Sequence, residues 1–193
     1  NEPVQGIEGG HLGGPYPDKQ AEGEHEGAGA KGYYRVKKGD SLFRIAARKD
    51  VYGDPLKWTS LYRLNLDTLS HMVIQEKLLH QELPEGLNLK FVTPQESLDN
   101  LMKIQGKQWV INVLSEKTLE RVVPYAAKLI RNGYHGYLSQ TDINGDKWIR
   151  LRVGFFETAP KAVAVQKEIA ALLQVDDAWV TRVGGEVEAY GGY

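Results

Sequence analysis

Hydrophobic positions change period several times along the chain, and each period predicts an element. In the segment WIRLRVGFF, Ile149, Leu151 and Val153 alternate with other side chains, which is typical of a strand with one buried face. Between residues 119 and 130 the apolar positions recur every three or four residues, which predicts an amphipathic helix. Extended along the chain, these patterns predict two α+β units joined by a short connector.

The first unit, residues 33–93, has the predicted order β-α-α-β. YYRV is a short strand, and the helix SLFRIAARK follows with Ser41 as its N-cap. Pro55 begins a second helix, and residues 66–82 form a longer mixed segment with helical propensity. The alternating segment LNLKFV then closes the unit as a strand.

The second unit, residues 107–185, has the predicted order β-α-β-β-α-β. QWVINVL and AWVTRV are its outer strands in sequence, and its two central strands form a hairpin across Asn144-Gly145. This order predicts a four-stranded antiparallel sheet, ferredoxin-like, with two helices against one face. We expect the other face to be open to solvent and to be the natural binding surface.

Three segments flank these units. Residues 1–32 hold nine glycines and six acidic residues, which predicts a flexible acidic tail. Residues 94–106 are predicted to be a helical or coiled linker, and residues 186–193 a C-terminal tail.

Composition narrows the function classes. The net charge is −1, so no global field favours nucleic acid or an anionic membrane. The chain has no cysteine, which excludes disulfides and thiol catalysis; this fits an oxidising compartment, and it fits the cytoplasm as well. No run approaches the ~20 apolar residues of a membrane span. Because the sequence begins at Asn1, we expect that an export signal or anchor preceded it.

The first unit resembles the LysM domain, a β-α-α-β binder of peptidoglycan and chitin. The resemblance rests on the string Val36 to Leu42 (VKKGDSL), the pair Ile45-Ala46, and Asn65 at the end of the second helix. It implies a groove for N-acetylglucosamine between two loops, made of Gly39, Asp40, Ser41, Leu42, Leu83, Pro84, Glu85 and Gly86. Residues 66–82 are longer than the family pattern and are expected to cover or reshape this groove. The alternative is that Asp40 and Ser41 only cap a helix.

The second unit resembles the SPOR domain, which binds peptidoglycan glycan strands stripped of their peptides. Ile111 to Ser115 (INVLS) stand where the family has Val-Gln-x-Gly-Ser, and Arg150 to Phe156 (RLRVGFF) where it has Arg-Val-x-x-Gly-Pro-Phe. The resemblance implies glycan contacts on the open sheet face through Asn112, Ser115, Trp148 and Arg150, and we add Arg152 as a candidate because it lies on the same face.

The chemistry of that face is coherent for a sugar. An indole packs against the C–H face of a sugar ring, while Arg, Asn and Ser bond to hydroxyl, acetamido and carboxylate groups. Two departures weaken the match: Asn112 replaces a longer Gln, and Leu114 replaces a small glycine on the side expected to be exposed. The family does not require Arg152, which we expect to serve a partner particular to this chain. The alternative for Trp148 and Arg150 is an ordinary surface cation–π pair.

Other functions have weaker support. RNA-recognition modules share the strand order, but Asn112 stands where they carry an aromatic, and their Lys/Arg-Gly-Phe-x-Phe string is absent. From residue 106 to 193 there are 11 basic and 10 acidic residues, so nucleic acid is not expected. The string DINGD lacks the spacing of a calcium loop, and the sequence predicts neither a metal nor a cofactor. Neither unit resembles a hydrolase, so we expect no catalytic residue.

Together these features predict a non-catalytic peptidoglycan-binding protein of the bacterial periplasm or cell envelope. The expected partners are glycan strands, with membrane contact only through a removed N-terminal anchor. The alternative is a scaffold subunit that uses both folds for contacts with envelope proteins or with further copies of itself.

Overall fold

The computed structural model describes residues 32–73 and 75–193, so the predicted tail lies outside the described residues except for Gly32. The first unit is mixed α+β as predicted. It contains β1 Tyr33–Arg35, α1 Leu42–Ala47, a 3-10 turn Pro55–Lys57, α2 Trp58–Leu64, α3 Leu66–Leu69, a 3-10 turn Glu76–Leu79 and β2 Asn88–Lys90. The closing strand is shorter than the alternating segment that predicted it.

Polar side chains fix the ends of these elements. Ser41 accepts a hydrogen bond from the Arg44 N–H and caps α1, as predicted. Asn65 joins the end of α2 to β2, since its amide donates to Lys90 O at 2.8 Å and accepts from Lys90 N at 2.8 Å. β1 pairs antiparallel with β2, and the helices close a core around the fully buried Trp58.

The second unit has the predicted β-α-β-β-α-β order. It contains β3 Trp109–Glu116, α5 Leu119–Arg131, β4 Gly136–Ile143, β5 Asp146–Phe156, α6 Ala159–Leu173 and β6 Trp179–Arg182. The four strands form one antiparallel sheet in the order β4-β5-β3-β6, with a tight turn between β4 and β5 at Asn144 and Gly145, both at positive φ. Apolar residues of α5 and α6 bury one sheet face.

A bulge in β3 corrects the expected orientation of Leu114. Asn112 pairs with Arg152, but after the bulge Leu114 pairs with Leu151 rather than following strict alternation. Leu114 therefore packs against the core, and Ser115 joins the face of Asn112. The expectation that Leu114 points to the exposed side was wrong, because two consecutive residues of the bulged strand face one residue of β5.

The predicted linker is helical. Pro94–Lys103 form α4, which begins with a capping box between Thr93 and Glu96. None of the helices in the described ranges is long and apolar enough to span a membrane.

The two units are in direct contact. Arg131 at the end of α5 donates from Nε to the Tyr62 hydroxyl at 2.7 Å and from Nη2 to Met72 O at 2.8 Å. Residues 66–82 thus pack between α1 and α5, where they bury Leu69, Leu78 and Leu79. This extra length forms part of the contact between the units, together with α2 and the turn Pro55–Lys57.

The segment after β6 has a structure that its sequence did not predict. Glu186–Tyr190 form a short helix, α7, and Gly191 and Gly192 are buried against α4. α7 lies over part of the sheet face that was expected to be open. That expectation was wrong for this part of the face, because Tyr137 and Arg152 bind residues of α7 in place of solvent.

Candidate functional site

The sheet face opposite the helices carries two adjacent rows of polar and aromatic side chains. Strand register places Tyr137, Arg152, Asn112 and Trp179 side by side across all four strands, and we call these four residues the first row. The second row contains Ser139, Arg150 and Ser115. All five residues predicted for this face lie on it, since Trp148 precedes Arg150 by two positions along β5.

The first row is largely covered. Asn112 is 0% and Arg152 4% exposed, and the Arg152 Nε donates to Asn112 Oδ1 at 3.2 Å. The Arg152 Nη1 donates to the Glu186 carboxylate at 2.5 Å, and Tyr137 donates to the same carboxylate at 2.8 Å. Arg152 was expected to serve a partner particular to this chain. In this structure that partner is the carboxylate of Glu186, which belongs to α7 of the same chain.

Aromatic stacking completes this cover. The ring of Tyr190 in α7 stacks on Tyr137, and Phe155 stacks on the same ring, each at 5.2 Å between centroids. Burial, followed by the nearby negative charge of Glu186, raises the pKa of the Tyr137 hydroxyl above its usual range. Tyr137 is thus a neutral hydrogen-bond donor held between two rings.

The second row and Trp148 stay partly accessible. Arg150, Ser115 and Trp148 are all half-buried, and the cation near the Trp148 ring is Lys117, with its Nζ 5.3 Å from the ring centroid. Two buried polar atoms, Ser139 Oγ and Arg150 Nε, have no hydrogen-bond partner within the described part of the chain. Buried polar atoms are normally satisfied, so these two mark a part of the face where the protein's own hydrogen bonding is incomplete.

Three residues of the face were missed from the sequence. Tyr137 and Ser139 lie on the predicted strand YHGYLSQ, and strand alternation alone would have placed them on one face. Trp179 is 45% exposed and is paired in register with Asn112. Trp179 stands at the start of the predicted strand AWVTRV, and this position could have marked it as a candidate. Only the pairing of β6 with β3 shows that Trp179 extends the first row.

The residues predicted to form the groove in the first unit lie in two adjoining loops. The Leu83 N–H donates to Asp40 O at 2.8 Å and ties the loops together. Within the set, Ser41, Leu42 and Leu83 are buried, Pro84 and Glu85 are exposed, and Gly39, Asp40 and Gly86 are half-buried. The groove therefore offers backbone groups and few side chains.

Asp40 has a structural role in this groove. Its carboxylate accepts from the Tyr34 hydroxyl at 2.7 Å and from the Lys37 N–H at 2.8 Å. Burial and the hydrogen bond to Asp40 raise the pKa of Tyr34 to about 12. Ser41 caps α1, whereas Asp40 binds the preceding turn and the β1 tyrosine.

Fold and surfaces together define a class of protein: two small α+β modules, one with a groove between two loops and one with a polar and aromatic sheet face. Comparison with protein families identifies the modules, since the LysM domain matches residues 34–71 and the SPOR domain residues 105–182. The chain contains a LysM domain followed by a SPOR domain, as the sequence predicted. Both are peptidoglycan-binding modules. No curated protein and no solved structure matches the chain significantly.

Proposed function

We propose that this protein binds peptidoglycan glycan strands in the periplasm or cell envelope without hydrolysing them. In this proposal the LysM groove recognises N-acetylglucosamine, and the SPOR sheet face recognises glycan that has lost its peptides. The observation that carries it is the accessible part of the sheet face, where Trp148 lies beside Arg150 and Ser115. An indole with neighbouring polar groups is suited to a sugar ring and its substituents.

Two modules on one chain support tight attachment to a polymer. When one module is bound, the other is held at a high effective concentration near the next glycan segment. Contacts through Arg131 and the segment 66–82 hold the two modules against each other, which lowers the entropy lost when both bind the same strand.

Co-sedimentation with sacculi tests the SPOR part of the proposal. The wild type should bind amidase-treated sacculi better than untreated sacculi, because amidase removes the peptides. The variant W148A/R150A should lose this preference while the LysM groove retains binding to both. A matched control is R121A/Y125A, which removes an arginine and an aromatic from α5 on the other side of the sheet. Equal preference in the wild type and in W148A/R150A would reject the sheet face as the glycan surface.

A scaffold function is the second candidate. It is favoured by the covered first row and by two exposed apolar residues one turn apart on α4, Leu98 at 57% and Met102 at 68%. Under this function the protein would not bind sacculi, and its mass in solution, measured by light scattering, would be that of an oligomer. L98K/M102K would return it to a monomer.

A further inference from the structure

The contacts of α7 with the sheet are those that a ligand would make. A carboxylate of Glu186 lies on the buried guanidinium of Arg152, and the ring of Tyr190 lies on the ring of Tyr137. These are a charge-assisted hydrogen bond and a stacked ring, the two kinds of contact by which an arginine and an aromatic hold an acidic sugar.

α7 has no stability of its own. It has five residues, none of them buried, and its N-cap makes no side-chain hydrogen bond. A helix this short is unstable alone, so its position depends on its contacts with the sheet and on the glycines that follow it. A Cβ added at Gly184 or Gly185, which precede it, would meet nothing within 4 Å. The contacts that hold α7 on the sheet are the Glu186–Arg152 ion pair and the Tyr190–Tyr137 stack, and a ligand that displaces α7 has to replace them.

The covered and accessible parts of the face are continuous. Hydrogen bonds run from Glu186 through Arg152 and Asn112 to the Ser115 hydroxyl, with the last at 3.3 Å. Next to this chain lie the unpaired Ser139 Oγ and Arg150 Nε. A ligand on Trp148 and Arg150 that extended along the sheet would meet α7 at Arg152.

We propose that residues 186–192 are a built-in competitor for the glycan surface, and that the ligand is an acidic glycan whose carboxylate replaces that of Glu186 on Arg152. This inference rests on the proposed function and adds the ligand class and its regulation. Glycan freed of peptides exposes such a carboxylate on each lactyl group, whereas chitin oligosaccharides have none. Arg152 then selects the acidic strand, and displacement of α7 sets the affinity.

The glycines after α7 allow the segment to be opened without changing the sheet. A Cβ on Gly191 would lie 2.6 Å from Val187 O and 2.3 Å from the Ile104 side chain. A Cβ on Gly192 would lie 2.7 Å from Ser97 O. G191A/G192A should therefore release α7, and G184A/G185A is the matched control because an added Cβ at either position meets nothing within 4 Å.

The binding experiment uses the full chain with soluble amidase-treated glycan strands and, separately, with chitohexaose. If the face is uncovered in about a tenth of molecules, G191A/G192A should bind the acidic strands roughly tenfold more tightly than the wild type. The control variant should match the wild type, and chitohexaose affinity should not change. E186Q, which keeps the shape of Glu186 but removes its charge, should shift binding in the same direction by a smaller factor.

The outcomes separate the two proposals. Equal affinity in the wild type and G191A/G192A, with binding still weakened in W148A, would overturn the competitor and leave the glycan surface standing. A gain in G191A/G192A that persists after W148A is added would overturn both, because the ligand would then bind elsewhere. Equal gains for chitohexaose and for acidic strands would reject the carboxylate as the recognised group.

Discussion

The LysM groove and the SPOR sheet face are both surfaces predicted to bind sugars, yet they are built in different ways. The groove consists mainly of backbone, and its polar side chain Asp40 is already satisfied by Tyr34 and Lys37. The sheet face consists of side chains, including the cation of Arg152 at 4% exposure. A buried cation requires a partner, and Glu186 supplies it from the same chain. A surface made of side chains can thus be occupied by a side chain of the same protein, whereas in the groove the pairing is local: Leu83 N–H donates to Asp40 O and Arg44 Nη1 to Gly39 O.

Removing the buried cation of the sheet face should lower the free energy of unfolding more than any change in the groove. Arg152→Ala deletes the partner of Glu186 and of Asn112 and exposes Tyr137, so we expect the free energy of unfolding to fall by about 3 kcal/mol. Urea denaturation followed by circular dichroism measures this loss. The control R152M/E186Q replaces both charges by neutral side chains of similar length and keeps an acceptor for the Tyr137 hydroxyl, so it should lie within about 1 kcal/mol of the wild type. An exposed ion pair typically contributes about 0.5 kcal/mol. A loss below that value for Arg152→Ala would therefore mean that this ion pair is not buried.

The contact between the modules should depend on pH through His135. Burial, together with the positive charge of Arg63, lowers the pKa of His135 from 6.5 to about 4. His135 lines a small cavity with Lys57, Arg63 and residues of the C-terminal segment. Below pH 6.5 the unfolded chain binds a proton that the folded chain does not, so stability falls as the pH is lowered from about 6.5 to about 4. Above pH 6.5 this contribution is constant.

The expected loss from His135 is about 2 kcal/mol across that range. Urea midpoints at pH 7, 5.5 and 4.5 measure it, and His135→Gln should flatten the curve by that amount. His71 is exposed, so His71→Gln controls for the removal of a histidine. Identical slopes for the wild type and His135→Gln would contradict a buried neutral imidazole between the modules.

The parts of the fold that were predictable depend on local patterns. Alternation located β3 and β5, the helical period located α5, and Asn144-Gly145 placed the turn because both residues tolerate positive φ. The resemblances to LysM and SPOR domains added the identity of the modules. These signals lie within about ten residues of each element, and for that reason they can be read without a structure.

The unpredicted parts depend on distant contacts. EVEAY carries two charges and no apolar stripe, so by itself it predicts a tail. It becomes a helix because Arg152, Tyr137 and the glycine contacts with α4 hold it. The bulge at Leu114 is likewise invisible to alternation, since it is set by the register of β3 against β5. Which half of the candidate site is covered could therefore not be read from the sequence.

The groove should respond more weakly than the sheet face. Asp40→Ala removes two hydrogen bonds and leaves the Tyr34 hydroxyl, in a side chain 1% exposed, without its acceptor. We expect a loss of about 1 to 2 kcal/mol in the free energy of unfolding. The pKa of Tyr34, raised to about 12 by burial and by Asp40, should fall toward 10, since one of its causes is removed. Ultraviolet titration of tyrosine in the wild type, Asp40→Ala and the control Tyr33→Phe measures this shift.

Because Asp40 serves the fold, chitohexaose should still bind Asp40→Ala, and loss of that binding in a folded variant would instead make the Asp40 carboxylate a sugar contact.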